Sequence, residues 1–201
     1  MLYDLQGSWD QEVLGSGGML AIEPSTRTAQ GRELHATIPF FTGGGVSQAH
    51  LARLLPATTA ITISYALRID SAPPQGTQQA MNVRIEYGGG EFAATYLYVH
   101  PDAVAFVEQT FPLDASTMGD FAEHPLAVPI VFGTWQRITV TMTLGASPRH
   151  TVTIDGAIAY DAPADPFFRA GMPEVAAGID YSAAPTGPLS LRVDDLYVDL
   201  K

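Results

Sequence analysis

The sequence contains no cysteine, which excludes disulfide bonds, thiol catalysis and cysteine-based zinc sites together. Lysine occurs once, at Lys201, and the other basic residues are arginines. The 21 acidic residues outnumber the 10 basic ones, so the formal net charge is -11. An acidic surface repels phosphate backbones and anionic lipids, so we expect neither nucleic acid nor a membrane surface as a partner.

Long apolar runs are missing too, since no segment approaches the ~18 consecutive apolar residues of a membrane-spanning helix. No window shows a convincing 3.6-residue apolar stripe longer than two turns, so long amphipathic helices are not expected. The 201 residues are nevertheless 46% hydrophobic, which is enough to bury a sizeable core. We predict a single domain over residues 1–201.

Apolar and polar residues alternate with a period of two along much of the sequence. In 61–69, "ITISYALRI", the apolar residues share one face, and 137–144, "RITVTMTL", repeats the pattern with a threonine outer face. Shorter runs of this kind occupy 18–23, 33–40, 49–55, 82–87, 92–100, 103–109, 150–155, 157–160, 174–181 and 189–200. Glycine and proline separate nearly all of them. Many short strands joined by turns indicate an all-β sandwich or barrel.

Two local features refine the strand pattern. Asp155–Gly156, within "TVTIDGAIAYD", is a strong hairpin signal because a type I′ turn needs the positive φ that Asp and Gly tolerate. The alternative for Asp155, an acid or metal ligand, is less favoured. In 189–200 the apolar parity changes, which predicts a bulge at Asp194–Asp195.

The least regular stretch is 110–133, "TFPLDASTMGDFAEHPLAVPIVFG". It predicts a long loop with one short strand at its end. Long loops in compact domains are often functional.

Several motifs resemble the concanavalin A-like lectin/glucanase superfamily in its laminin-G-like jelly-roll form. They are the strand at 135–140, the hairpin at 152–156, the Gly178–Ile179 strand and the closing strand at 193–198, with "YDLQGSW" near the start. The resemblance implies a two-sheet antiparallel jelly-roll sandwich with a glycan groove on the concave face of one sheet. Many such domains are secreted or lipid-anchored in bacteria, so we expect an extracellular or cell-surface protein whose signal has been removed.

Candidate ligand-binding residues follow from pairing strand 82–87 with strand 92–100 through the glycines 88–90. Their polar and aromatic faces would then form one surface, made of Asn82, Arg84, Glu86, Tyr96, Tyr98 and His100. Aromatic rings cover the apolar face of a pyranose while polar groups bond its hydroxyls. His35 could join this groove. The alternative is an ordinary solvated sheet face.

Catalytic patterns of the superfamily are not matched. The glucanase pattern Glu-x-Asp-x-x-Glu is absent, and so is the Gln-Ile/Val-His of jelly-roll polysaccharide lyases. Residues 31–35, "GRELH", keep only Glu33–Leu34 of the lyase Arg-Thr/Ser-Glu-Leu-Arg pattern. In "FFRAGMPEV", Pro173 stands where a lyase carries its catalytic tyrosine. We therefore assign no catalytic residue.

No metal or cofactor is predicted. His50, His124 and His150 fit no metal-ligand spacing. The resemblance leaves room for a structural calcium ion, but turn or capping roles explain both acid pairs, Asp161 with Asp165 and Asp194 with Asp195.

Three functions remain open from the sequence. The favoured one is a non-catalytic carbohydrate-binding or adhesion module whose partner is a glycan. The second is a carbohydrate-active enzyme, a lyase or glycoside hydrolase, that uses Glu86, His100 or His35 as acid and base. The third is a structural domain that binds a protein partner and whose groove is closed by the 110–133 loop.

Overall fold

The structure, a computed structural model, describes residues 9–15, 17–40, 46–71, 76–113, 119–183 and 188–201. They form fourteen β-strands: β1 (Gln11–Gly15), β2 (Met19–Pro24), β3 (Arg32–Ile38), β4 (Val46–Leu54), β5 (Ala60–Ser71), β6 (Gln78–Gly88), β7 (Glu91–Val99), β8 (Val104–Phe111), β9 (Phe121–Pro125), β10 (Gln136–Thr143), β11 (Arg149–Ile154), β12 (Ala157–Pro163), β13 (Met172–Ala183) and β14 (Leu189–Leu200). Among these residues no helix is long and apolar enough to cross a bilayer.

The strands build two antiparallel sheets of seven strands each. The first sheet has the order β1-β4-β13-β6-β7-β8-β9, and the second has the order β12-β11-β10-β5-β14-β3-β2. Inward-facing side chains of both sheets form one core between them. The predicted class, an all-β antiparallel two-sheet sandwich, is confirmed.

Alternation along the strands decides which side chains enter this core. The five apolar residues of 61–69 are each at most 2% exposed. Ile138, Val140 and Met142 of β10 face the same interior. Their threonine neighbours lie on the outer face, where Thr139 donates a hydrogen bond to Ser64 (3.1 Å). The period of two therefore placed these strands correctly.

The two predicted local features are both present. Asp155 and Gly156 have positive φ values of 50° and 83° and join β11 to β12. The Asp155 carboxylate also accepts a hydrogen bond from the backbone N–H of Arg137 (2.8 Å), so it supports a turn. In β14 the register shifts between Asp194 and Tyr197, with Asp195 at a φ of 49°.

Two edge strands of the first sheet, β1 and β9, were not predicted. Edge strands bury little, and β9 contains Pro125, so neither shows a clear apolar face. The predicted position of a short strand at the end of 110–133 was wrong. Instead, β8 continues to Phe111 and β9 covers 121–125. Residues 114–118 of that loop and 3–8 of the opening motif lie outside the described residues.

Bulges in two neighbouring strands of the first sheet shape its outer face. In β6 the register shifts between Ala80 and Val83, and Met81 between them has a φ of 54°. In β13 the register shifts around Ile179, next to Gly178 at a φ of 124°. A Cβ at Gly178 would lie 2.4 Å from the backbone oxygen of Ala49, so only glycine fits there.

Candidate functional site

A groove crosses the outer face of the first sheet. Its volume is about 470 Å³, and it spans the five strands β4, β13, β6, β7 and β8. Amide, aromatic and charged side chains line it: Gln48, Gln79, Asn82, Arg84, Phe92, Tyr96, Gln109, Phe111, Asp180 and Tyr181. This face therefore offers both hydrogen-bonding groups and rings to a ligand.

The bulge in β13 brings two consecutive residues to this groove. Ile179 and Ser182 are fully buried, while Asp180 and Tyr181 between them both line the groove. In a regular strand two successive side chains would face opposite sides of the sheet. Tyr181 is 40% exposed, so its phenol is accessible to a ligand.

Asp180 is held from three sides at one end of the groove. Its Oδ2 accepts a hydrogen bond from Nδ2 of Asn82 (2.6 Å), and its Oδ1 lies 3.5 Å from Nε2 of His50. The Gln48 amide donates to the Asp180 backbone oxygen (2.8 Å). His50 is only 4% exposed and lies behind the carboxylate. At this end of the groove, the Asp180 carboxylate is therefore held in a fixed position among side-chain amides.

Tyr96 forms the floor of the groove. It is only 2% exposed, and its hydroxyl donates to the amide oxygen of Gln109 (2.9 Å). Burial raises the pKa of Tyr96 well above its usual value. Because the ring is covered by protein, the expectation that it stacks on a sugar is wrong for Tyr96.

At the other end of the groove the rings of Phe92 and Phe111 stack with their centroids 4.1 Å apart. The Arg84 guanidinium lies over the Phe92 ring, 4.2 Å from its centroid, and forms an ion pair with Glu86. Neither phenylalanine was singled out in the sequence, because an outward-facing Phe at a strand end looks the same as an ordinary surface residue.

The predicted pairing of β6 with β7 is confirmed, and it brings Asn82, Arg84 and Tyr96 together in the groove. Glu86 lies beside the groove as the partner of Arg84. Their part in ligand binding stays a prediction.

Tyr98 and His100 continue the same face beyond the groove. Tyr98 contacts the rings of Tyr96 (5.9 Å) and His100 (5.1 Å). His100 borders a separate cleft of about 290 Å³, where its Nε2 lies 2.7 Å from Glu123. These two side chains are therefore neighbours of the groove, not part of its lining.

His35 was wrongly placed in this groove. It belongs to β3 of the second sheet, and its Nε2 lies 2.9 Å from the Ser190 hydroxyl. Its Nδ1 is 3.4 Å from a Glu23 carboxylate oxygen. Alternation assigns a residue to a face of its strand but does not say which sheet the strand joins.

The sequence did contain signals for the residues that were missed. Gln48-Ala49-His50 keeps the two polar positions of the lyase Gln-Ile/Val-His pattern, which a strict match rejects because of the alanine. Ala177–Gly178 is followed by Tyr181, one residue later than in the lyase Ala-Gly-x-Tyr pattern. The register of β13 shifts beside this position.

Protein groups already bond to the acids of both pairs, including Asp165, which accepts a hydrogen bond from the backbone N–H of Phe167 (2.7 Å). Asp194 accepts hydrogen bonds from Ser25 (2.7 Å) and Arg27 (3.4 Å), and Asp195 is bonded by Arg137 (3.0 Å). Asp161 is bonded by Arg149 and Thr151; the Arg149 contact holds the pKa of Asp161 below its usual range. In the part of the chain that the structure describes, no three His, Asp or Glu residues converge as metal ligands.

A scan against models of known protein families finds no match, and a search of curated proteins finds none either. Among solved structures, an endo-β-1,4-glucuronan lyase from the fungus Trichoderma reesei superposes with a TM-score of 0.74 at 11% identity, covering 100% of this chain and 94% of that one. An alginate lyase variant in complex with alginate trisaccharide gives a TM-score of 0.62 at 14% identity, covering 84% and 82%. The cellulose-induced protein Cip1 gives 0.63 at 9% identity, covering 99% and 96%. At such identities these likenesses show the fold, a two-sheet sandwich of the jelly-roll kind.

Proposed function

We propose that this chain binds a polysaccharide in the groove of the first sheet, as a non-catalytic carbohydrate-binding or adhesion module at the cell surface or outside the cell. The observation that carries the proposal is one groove that combines four side-chain amides with stacked aromatic rings. We also propose that the chain is a member of the concanavalin A-like superfamily.

The chemistry of the groove suits hydroxyl-rich ligands. Gln48, Gln79, Asn82 and Gln109 each present an amide that can both donate and accept hydrogen bonds. Sugar hydroxyls need such paired donors and acceptors, while their apolar ring faces need aromatic surface.

The size of the groove suits a chain of several sugars. With strands about 4.8 Å apart, a groove that crosses five strands extends roughly 19 Å. The structures similar to this one include lyases named for glucuronan and alginate, one of them with an alginate trisaccharide bound. Uronate polymers of this type and neutral β-glucans are therefore both ligands to test.

A second candidate function is cleavage of a uronate polymer by β-elimination. It is favoured by the group at one end of the groove: Gln48, Asn82, Asp180 and Tyr181, with His50 behind them. In such a reaction the amides would neutralise the sugar carboxylate. The C5–H and C4–O bonds break, a C4=C5 double bond forms, and one proton returns to the leaving oxygen.

Tyr181 is the residue of this group placed to carry that proton, because it is accessible while His50 lies behind Asp180. The acid–base roles considered for Glu86, His100 and His35 do not fit this groove. Glu86 is engaged by Arg84, His100 borders the separate cleft, and His35 is on the other sheet.

The test is a glycan array that includes glucuronan, alginate and neutral β-glucans, followed by ultraviolet detection of unsaturated chain ends on every bound glycan. A binding module retains its glycan without forming product. A lyase forms product, and Tyr181→Phe abolishes it while binding remains. An array without any bound glycan contradicts both functions and favours a domain that binds a protein partner.

A further inference from the structure

Arg84, Phe92 and Phe111 form a three-layered stack at one end of the groove. The Phe111 ring is nearly parallel to the Phe92 ring, with an interplanar angle of 19° and 4.1 Å between centroids. The Arg84 guanidinium carbon is 4.2 Å from the same Phe92 centroid. Two groups so close to one ring centre must occupy its opposite faces, so both faces of Phe92 are covered.

This arrangement leaves Phe111 as the ring at the end of the stack. Phe111 is partly exposed and lines the groove beside Gln109, whose amide oxygen is fixed by the Tyr96 hydroxyl. A flat ring next to an oriented amide can contact the C–H face of a pyranose and one of its hydroxyls at once.

Arg84 is already engaged by protein groups. Its Nε is paired with Glu86, its flat face lies on Phe92, and its side chain is 39% exposed. A guanidinium held by a carboxylate and a ring is well placed to keep that ring in position.

We propose that Phe111 is the sugar-stacking platform of the groove and that Arg84 is a positioning residue that acts on it through Phe92. This inference rests on the proposed polysaccharide binding and adds where the pyranose stacks. It also makes the two ends of the groove different, since the stack lies at one end and Asp180 at the other. The ligand is a pyranose chain recognised at this end by its apolar ring face, whether or not it carries acidic groups.

Isothermal titration with two probes of equal length, cellohexaose and alginate hexasaccharide, tests the assignment. For whichever probe binds the wild-type chain, Phe111→Ala should weaken binding about tenfold or more, because the ring contact is lost. Phe111→Tyr should restore it, since the ring is kept. Phe121→Ala is the matched control: Phe121 is 50% exposed on the same sheet and outside the groove, so binding should not change.

The role of Arg84 is tested with the same probes. Arg84→Ala should weaken binding of neutral and acidic probes by the same factor, and Arg84→Lys should recover part of it. A loss confined to the acidic probe would overturn the positioning role, because it would make Arg84 a receptor for the anion.

These outcomes distinguish the Phe111 platform assignment from the polysaccharide-binding function on which it rests. If Asn82→Ala weakens binding and Phe111→Ala does not, the platform assignment is wrong while the polysaccharide function stands. If neither probe nor any glycan of the array binds the wild-type chain, the function fails and the platform fails with it. Unchanged thermal unfolding midpoints of the variants ensure that a loss of binding is not a loss of folding.

Discussion

The outer faces of the two sheets are built from the same kind of alternating strand, yet they differ in chemistry. On the second sheet, Arg192 of β14 bonds to Glu33 of β3, to Asp70 of β5 (2.7 Å) and to Glu23 of β2 (3.2 Å). On the first sheet, the outward positions carry amides and rings around a groove of about 470 Å³. One face is therefore dominated by charges that pair across strands, and the other by amides and aromatic rings that line a groove.

This difference between the two outer faces should affect the free energy of unfolding. Burial works against the charge of Arg192, but hydrogen bonds to Glu33 and Asp70 outweigh it and raise the pKa of Arg192. Such a network tolerates the loss of a member poorly, because a buried partner is left uncompensated. Groups that line a groove also face the ligand, so their loss should affect binding more than stability.

The largest expected effect is on the second sheet. Arg192→Ala leaves Glu33, which is fully buried, without its guanidinium partner. We expect the free energy of unfolding to fall by about 3–5 kcal/mol, measured by urea denaturation. Arg149→Ala, which breaks the exposed pair with Asp161, is the control and should change stability little. Equal effects of the two variants would contradict the distinction between buried and exposed networks.

A smaller effect is expected on the first sheet, and on binding instead of stability. Asn82→Ala removes the hydrogen bond that orients Asp180 in the groove (2.6 Å). Glycan affinity should fall about ten- to a hundredfold, measured by isothermal titration, while the free energy of unfolding falls by less than in Arg192→Ala. Arg192→Ala, studied where it is still folded, should bind as the wild type does. A comparable loss of affinity in both variants would mean that the two faces are not independent.

The smallest effect concerns the space between the sheets and appears only at alkaline pH. Burial, with the nearby Glu108 charge, raises the pKa of Tyr160 to about 12. The folded state thus favours the protonated phenol, so this contribution is fully present below the ordinary tyrosine pKa of about 10 and is lost as pH rises towards 12. Tyr160→Phe should therefore reduce the loss of stability that occurs as pH rises above the ordinary tyrosine pKa of about 10. Parallel stability curves for variant and wild type would refute this assignment.

Much of the fold was predictable because its signals are local. The side-chain period of two assigned 61–69 and 137–144 to the core, and the parity change in 189–200 located the bulge at Asp194–Asp195. Where local patterns were weak, prediction failed. β1 and β9 are edge strands with little buried surface, so their sequences resemble loops.

The groove was predictable only in part. Asn82, Arg84 and Tyr96 lie on two strands joined by a short turn, so their proximity followed from sequence. Gln48 and Asp180 come from strands more than 100 residues away from each other in the chain, although β4 and β13 are direct neighbours. No local pattern encodes such a pairing, because backbone hydrogen bonds between strands are alike for any pair.

By itself, the sequence determined the all-β class, the inner and outer face of most strands, the Asp155–Gly156 turn and the acidic surface. Only the tertiary structure decided that His35 lies on the opposite sheet, that the Tyr96 ring is buried, and that Phe92 and Phe111 stack. The physical reason is the distance along the chain over which each signal acts. Alternation and turn preference act between residues close in the chain, whereas the groove depends on which distant strands become neighbours and on where bulges turn their side chains.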